Sequence, residues 1–230
     1  MYVQHSPDIW RDYPDLVPGV VVADGIRNDA QVASRVAAFT NVARERLASG
    51  SEGQFPEIQA WRRTFARMGL KPTQYRCASE SLLRRLRKDG TLPPIHPLID
   101  LCNAISLAFA IPIAAFDADR ITEGVEVRHA SGSERYITFS GETENPDPGE
   151  VIFADAAGQA HARRWTNRQS GYSAIRETTT DVLIVAEAMH DSAPADIERL
   201  VTTIAEELSA VWSATPTTAI LTSSSPRFEF

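Results

Sequence analysis

The chain of 230 residues is 43% hydrophobic and 23% charged, which supplies a substantial core and excludes disordered or collagen-like architecture. Its formal net charge of −7 argues, taken globally, against a nucleic-acid partner, because phosphate binding rests on lysine and arginine. Two cysteines, Cys77 and Cys102, and five histidines stand in no paired-ligand spacing, so neither a disulfide scaffold nor a metal site is expected.

Met1 to Trp10 has neither a basic start nor an apolar stretch, so no secretory signal is expected and the location implied is cytoplasmic. Leu16 to Ala23 is apolar and valine-rich, bounded by turn residues, and reads as a strand. A helix should follow, with Asn28 and Gln31 at capping-box spacing, Val32, Val36, Phe39, Ala43 and Leu47 on one face, and Gly50 as the stop. The next helix starts near Pro56, places Ile58, Trp61, Phe65 and Met68 inward, and ends at Gly69. Ser79 is expected to cap a short helix with Leu82, Leu83 and Leu86 inward, ending at Gly90.

After a loop over Thr91 to Pro97, the run from Leu98 to Phe116 reads as a buried helix ending at a turn near Pro112. Asp100, Asn103 and Pro112 argue against a membrane span. Beyond Asp119 the period changes to two: Val125, Val127 and His129, then Ile137 and Phe139 across a Ser131-Gly132-Ser133 turn, predict a hairpin. Further strands are expected at Glu150 to Ala154, Ala160 to Thr166 and Val182 to Ala186. An amphipathic helix follows from about Pro194 to Trp212, then a tail that adds one strand or frays. The whole, residues 1–230, reads as one α+β domain with mostly antiparallel pairing.

Charge is unevenly distributed. From Trp61 to Gly90 nine bases face two acids, a local +7 on a chain of −7. A second basic window holds Arg163, Arg164, Arg168 and Arg176 with no acid. Solvated helix and strand faces explain any single arginine, whereas two clusters on an acidic background point to a focused anionic partner. Cys102 reads as a small core residue and Cys77, beside Arg76, offers thin grounds for a reactive thiol. No phosphate-binding loop, dinucleotide fingerprint, nucleophile elbow or zinc-protease helix is present.

Ile99-Asp100-Leu101-Cys102-Asn103, followed by Ile111-Pro112-Ile113-Ala114-Ala115-Phe116-Asp117 and Asp119, resembles without a gap the V-D-x-x-N and G-x-P-x-H-A-F-D-x-D blocks of the B3/B4 domain of the bacterial phenylalanyl-tRNA synthetase β subunit. The resemblance is closer to free-standing B3/B4 proteins. Gly149 to Ile152 with Asp155, Gln169-Ser170-Gly171 and Thr179 to Leu183 resemble that family's later blocks. The similarity spans a core of residues 75–187, with helices at 29–68 and 194–212 expected to pack on it. It implies an editing enzyme that hydrolyses the ester of mischarged tRNA in trans, the acyl group being a non-cognate or non-protein amino acid such as an arginine analogue. The partners implied are the charged 3′ end and acceptor stem, with no cofactor and no membrane. The alternative is a B3/B4 module that binds tRNA or an amino acid without hydrolysis; an acidic scaffold for protein partners is a third class.

Two positions depart from the synthetase pattern. Its motif histidine is Ala114 here, and the glutamate before H-S-G aligns with Arg168, so selectivity for tyrosine does not carry over. The resemblance suggests Asn103 lining the acyl pocket, with a buried asparagine bonded to backbone as the plain alternative. Glu150 is a candidate to orient water or hold the substrate ammonium, or a solvated strand-end carboxylate. His96 is a candidate proton carrier or an exposed loop histidine. Trp165, Asn167, Arg168, Gln169 and Ser170 suit stacking and hydrogen bonding to a terminal adenosine, Trp165 being otherwise core. Arg84, Arg85, Arg87, Lys88, Arg163 and Arg164 are the expected phosphate contacts.

Overall fold

The computed structural model describes residues 1–230, an α+β arrangement of two sheets and six α-helices. Its centre is β10 (Val182–Ala188), a strand buried along its whole length. A strand covered on both faces reads as a continuous apolar run instead of an alternating one, and Val-Leu-Ile-Val-Ala-Glu-Ala is such a run interrupted only by Glu187. β10 pairs antiparallel with β2 (Val17–Ala23) and β3 (Ile113–Asp117), and β11 (Thr217–Ile220) extends β2 to complete a four-stranded sheet.

One face of that sheet, with Val182, Ile184 and Ala186, meets α5 (Pro97–Phe109) and α6 (Ala193–Trp212), which contribute Leu101, Ile105, Ile197, Leu200 and Ile204. The approach of α6 is close enough that a Cβ at Gly19 would overlap Ile197 and Val201. The other face, with Leu183 and Val185, meets Phe116, Phe153, Trp165 and the aromatic side of α3 (Pro56–Arg67). α2 (Ala33–Ser49) packs along α5, and α4 (Ala78–Asp89) lies beside it.

The larger sheet has the order β12-β1-β4-β7-β8-β5-β6, with β9 on β8. It comprises β1 (Tyr2–His5), β4 (Gly124–His129), β5 (Arg135–Ile137), β6 (Thr143–Glu144), β7 (Val151–Asp155), β8 (Gln159–Arg163), β9 (Arg168–Gln169) and β12 (Arg227–Glu229). Pairing is antiparallel except for β1 with β4 and β5 with β8. A short α1 (Pro7–Asp12), capped by Ser6, links the sheets.

Several expectations are corrected. α5 stops at Phe109, because Ala110 adopts a left-handed φ of 57° and Pro112 prevents continuation; Ile113 to Asp117 is then strand, not helix. Neither Asn28 nor Ser79 caps a helix: α2 starts after Val32 without a side-chain cap, and Ser79 is a buried residue inside α4, which starts after Cys77. Gly90, with φ 77°, does end α4. The tail forms two strands, β11 and β12, each in a different sheet.

The β4–β5 hairpin is absent. Glu134 folds back so that its carboxylate accepts from the Ser131 and Gly132 amides, at 3.0 and 3.1 Å, and from Arg128, and this compact turn sends the chain out of register with β4. β4 pairs with β1 and β7 instead, and β5 with β6 and β8. The facing is also reversed: Tyr136 is fully buried among Ala130, Ile152, Ala154 and Ala160, while Phe139 is 74% exposed.

Burial pushes the Glu134 carboxyl up, but the Ser131 amide and Arg128 outweigh it and bring the pKa down to about 2. Because the folded value is below the unfolded one, this contribution is complete above roughly pH 4.3 and is lost as pH falls through about 2. Glu134→Gln is therefore expected to cost about 2–3 kcal/mol at neutral pH and to flatten the acid limb of a urea-midpoint profile. A variant as stable as the parent at pH 7 would contradict it.

Candidate functional site

The turn from β8 to β9 carries the sequence Arg164-Trp165-Thr166-Asn167, and its first two residues both sit at left-handed φ, 48° and 57°. Such backbone is uncommon for bulky side chains and is held only when surroundings over-determine it. Here the Arg164 amide donates to Glu150 Oε1 at 2.8 Å and the Trp165 amide to the Val151 carbonyl at 2.7 Å. The result drives Trp165 inward, edge-on to Tyr13 and Trp61 at 4.8 and 5.2 Å between ring centroids. Trp165 is thus core and offers no face for a base, correcting the stacking role expected of it.

The rest of the turn and β9 are tied to α4, to the segment before it and to β3. The Ala78 amide at the start of α4 donates to the Thr166 carbonyl at 2.8 Å, Asn167 Nδ2 to the Arg76 carbonyl at 2.7 Å, and Gln169 Nε2 to the Ala115 carbonyl of β3 at 2.7 Å. These ties enclose a cavity of about 60 Å³ between β3, β10, the turn and the first residue of α4. Ala114 and Arg168, the two positions that depart from the synthetase pattern, both line it, together with Asn167, Gln169 and Glu187. Arg168 pairs with Glu144 at 2.9 Å and lies over the Tyr136 ring. Ser170 is fully buried and donates to the Ile137 carbonyl, so it supports the turn and does not line the cavity.

Glu187 is the carboxylate on that wall, and it was not singled out from the sequence. Its Oε1 accepts from His5 Nε2 at 2.7 Å and its Oε2 from Trp165 Nε1 at 2.9 Å, all three side chains being buried. The available signal was an acid inside an otherwise apolar strand, since burying a carboxylate demands partners. A carboxylate has about four acceptor sites, so two donors leave it able to accept from a molecule in the cavity.

The expected catalytic group of Glu150, His96 and Asn103 is not brought together. Glu150 lies on a separate cleft, where Arg163 Nε and Nη2 hold it at 3.0 and 2.9 Å and the Asp147 and Arg164 amides donate to it. Burial raises its pKa, yet the Arg163 contact outweighs this and holds it below the usual range. It is neither a solvated strand-end acid nor a free base. His96 caps α5: its Nδ1 accepts from the Leu98 amide at 3.2 Å, and burial lowers its pKa. Asn103 lines a different cavity of about 460 Å³ under the Thr91 to Pro97 loop, between α2 and α5.

Among the expected phosphate contacts, Arg163 is corrected. It is buried, with Glu150 and Glu144 on its guanidinium. Arg164 lies over the Tyr75 ring and reaches the same cleft as Glu150. Arg84, Arg85, Arg87 and Lys88 do form one exposed patch on α4. Two of them share the buried Glu52 carboxylate, Arg84 at 3.3 Å and Arg87 at 3.1 Å.

Both cysteines are buried, and burial pushes Cys77 up to about 11 and Cys102 up to about 12. Neither thiol is expected to react with a maleimide at pH 7.5 in the folded protein, and both should react in denaturant; native labelling of Cys77 would overturn that. No three His, Cys, Asp or Glu side chains are grouped to hold a metal ion, and no helix is long and apolar enough to cross a membrane.

The chain is 36% identical over 106 residues to the phenylalanine–tRNA ligase beta subunit of Bradyrhizobium diazoefficiens, covering 46% of this chain and 13% of that protein. It is 44% identical over 63 residues to the Coxiella burnetii beta subunit, covering 27% of this chain and 8% of that one. The chain therefore spans only a small part of these relatives' length. An N-terminal fragment of the Pyrococcus horikoshii phenylalanyl-tRNA synthetase beta subunit aligns with a TM-score of 0.49 and 10% identity, over 95% of this chain and 53% of the fragment. The B3/4 domain model matches residues 60–209, which takes in the cavity turn, β3, α4 and β10. With well over half of its residues matched, this chain belongs to the B3/4 domain family.

Proposed function

We propose that this protein is a cytoplasmic trans-editing deacylase that hydrolyses the aminoacyl ester of mischarged tRNA. The observation that carries the reading is the convergence of Ala114 and Arg168, distant in sequence, on one small cavity beside Glu187. Ester hydrolysis needs a held water, an acceptor for its hydrogen and donors for the developing oxyanion. Glu187 supplies the acceptor and the Arg168 guanidinium the donor, while the 2′-hydroxyl of the terminal ribose is positioned by the substrate itself to share the proton transfer. The cavity, about 60 Å³, is far smaller than the clefts of about 460 and 570 Å³ elsewhere on the chain, which favours a small acyl group. The α4 patch supplies a sequence-independent contact to acceptor-stem phosphates, and binding through it weakens with salt.

A second reading, binding without hydrolysis, has two observations behind it: no histidine lines the cavity, and its carboxylate already serves two donors. The deciding experiment measures amino-acid release from a panel of correctly and incorrectly charged tRNAs, with chelator present, by the parent protein and by Arg168→Ala. Release from one mischarged species, slowed in the variant, supports editing. Tight tRNA binding with no release from any species supports the binding module.

A further inference from the structure

A second, more open cleft of about 570 Å³ lies where the ends of α1, α3 and β4 meet the turn before β7. Two of its lining cations, Arg67 and Arg164, have no carboxylate within 4 Å, whereas Arg62, Arg128, Arg163 and Arg168 are all paired. Each instead lies over a tyrosine ring, Arg67 over Tyr13 and Arg164 over Tyr75, both 5.0 Å from the centroid. Arg67 also donates to the Asp12 carbonyl. Stacking holds a guanidinium plane while its remaining edge donors stay free, the arrangement suited to phosphate oxygens.

The acids along the same wall are engaged elsewhere. Glu150 is held by Arg163 and two amides. Asp12 is paired with Arg11 at 2.8 Å and faces His129 Nε2 at 3.3 Å, and Asp147 points to solvent, 3.9 Å from Arg163. His129 adds an imidazole whose Nδ1 faces the Gly149 carbonyl at 3.0 Å. Two guanidiniums without a carboxylate partner, one of them also bonded to the Asp12 carbonyl, thus face one concave surface.

The cleft also adjoins the cavity through a single turn. Arg164 borders the cleft, Trp165 and Asn167 border the cavity, and Tyr13, edge-on to Trp165, stands on the cleft side. We infer that this cleft binds phosphate groups of a single-stranded RNA 3′ end, through Arg67 and Arg164. The choice of RNA rests on the editing reading; the anion site rests on the two arginines.

The test is fluorescence anisotropy of a labelled short single-stranded RNA with a 3′-hydroxyl, over a salt series, on the full chain. The parent is compared with Arg67→Gln/Arg164→Gln, and with Arg84→Gln/Arg85→Gln on α4. Inorganic phosphate, adenosine 5′-monophosphate and DNA of the same sequence serve as competitors, and near-ultraviolet circular dichroism checks folding. The cleft pair is expected to weaken RNA binding about 10- to 100-fold and to lower the slope of log affinity against log salt by about 1.4, two single-strand phosphate contacts at about 0.7 each.

RNA affinity unchanged in a folded cleft variant overturns the inference, even where the parent deacylates tRNA. So does a parent that binds no RNA, or one whose RNA is displaced equally by free phosphate at the same concentration. Loss of RNA binding in the cleft variant, with no deacylation by the parent, leaves the inference standing and removes the editing reading.

Discussion

Replacing Glu187 with alanine is expected to lower the unfolding free energy by about 3–5 kcal/mol, the range for removing one partner of a buried ionic or hydrogen-bonded pair. The size follows from what would be left behind. His5 Nδ1 is already buried without a partner, and the substitution would strip Nε2 as well, leaving an imidazole with neither nitrogen satisfied. The Trp165 indole N–H would lose its acceptor in a site where the ring is fully enclosed. Each abandoned group pays its desolvation cost in full.

Glu187→Gln keeps an acceptor for Trp165 and the side-chain volume, and its expected cost is smaller, about 1–2 kcal/mol. Urea unfolding of both variants makes the comparison. An alanine variant within about 0.5 kcal/mol of the parent, the range of ordinary surface changes, would show that the cluster does not hold the wall of the cavity.

The second large effect concerns Ala114. Ala114→Leu puts an isobutyl group where a methyl now stands, on the wall of a cavity of about 60 Å³, and is expected to reduce amino-acid release at least 100-fold, about 2.7 kcal/mol of activation free energy. RNA affinity should stay within about twofold, because neither Arg67, Arg164 nor the α4 patch touches this position. The separation of the two readouts is the informative part. Loss of both together would indicate that the substitution disturbs the β3–β10 pairing, in which Ala114 faces Val185, and release at the parental rate would place the acyl group elsewhere.

The β8–β9 turn explains how a chain of net charge −7 keeps so many arginines. Arg163 is consumed internally by Glu150 and Glu144, and Arg168 commits one guanidinium nitrogen to Glu144, beside a turn that holds two left-handed residues in succession. Arg164 is left over for the surface. Adjacent arginines in one basic run thus do opposite work.

Which residues form helices and strands was legible in local pattern wherever one face alone is buried. The periodicity of α3, of α4 and of α6, and the glycine after α4, reflect side chains at spacings of three and four that must face a core, together with a backbone position that favours glycine. The aligned blocks around Asn103, Ala114 and Ser170 also stood in the sequence, and from them the family. What local pattern could not decide was pairing. β4 and β5 alternate as a hairpin should, yet the Glu134 carboxylate closes the intervening turn on itself, and each strand finds its partners elsewhere in the chain.

The same limit applied to the site. That Ala114 and Arg168 share a cavity while Glu150 and Asn103 do not, that Trp165 is interior, and that Glu187 lies on the wall depend on which side chains meet across sheets. Those meetings are set by packing between residues far apart in sequence, and by the need to satisfy every buried charge. Only the tertiary structure carries that information, because an arginine that clamps a carboxylate and one with no carboxylate partner are the same letter.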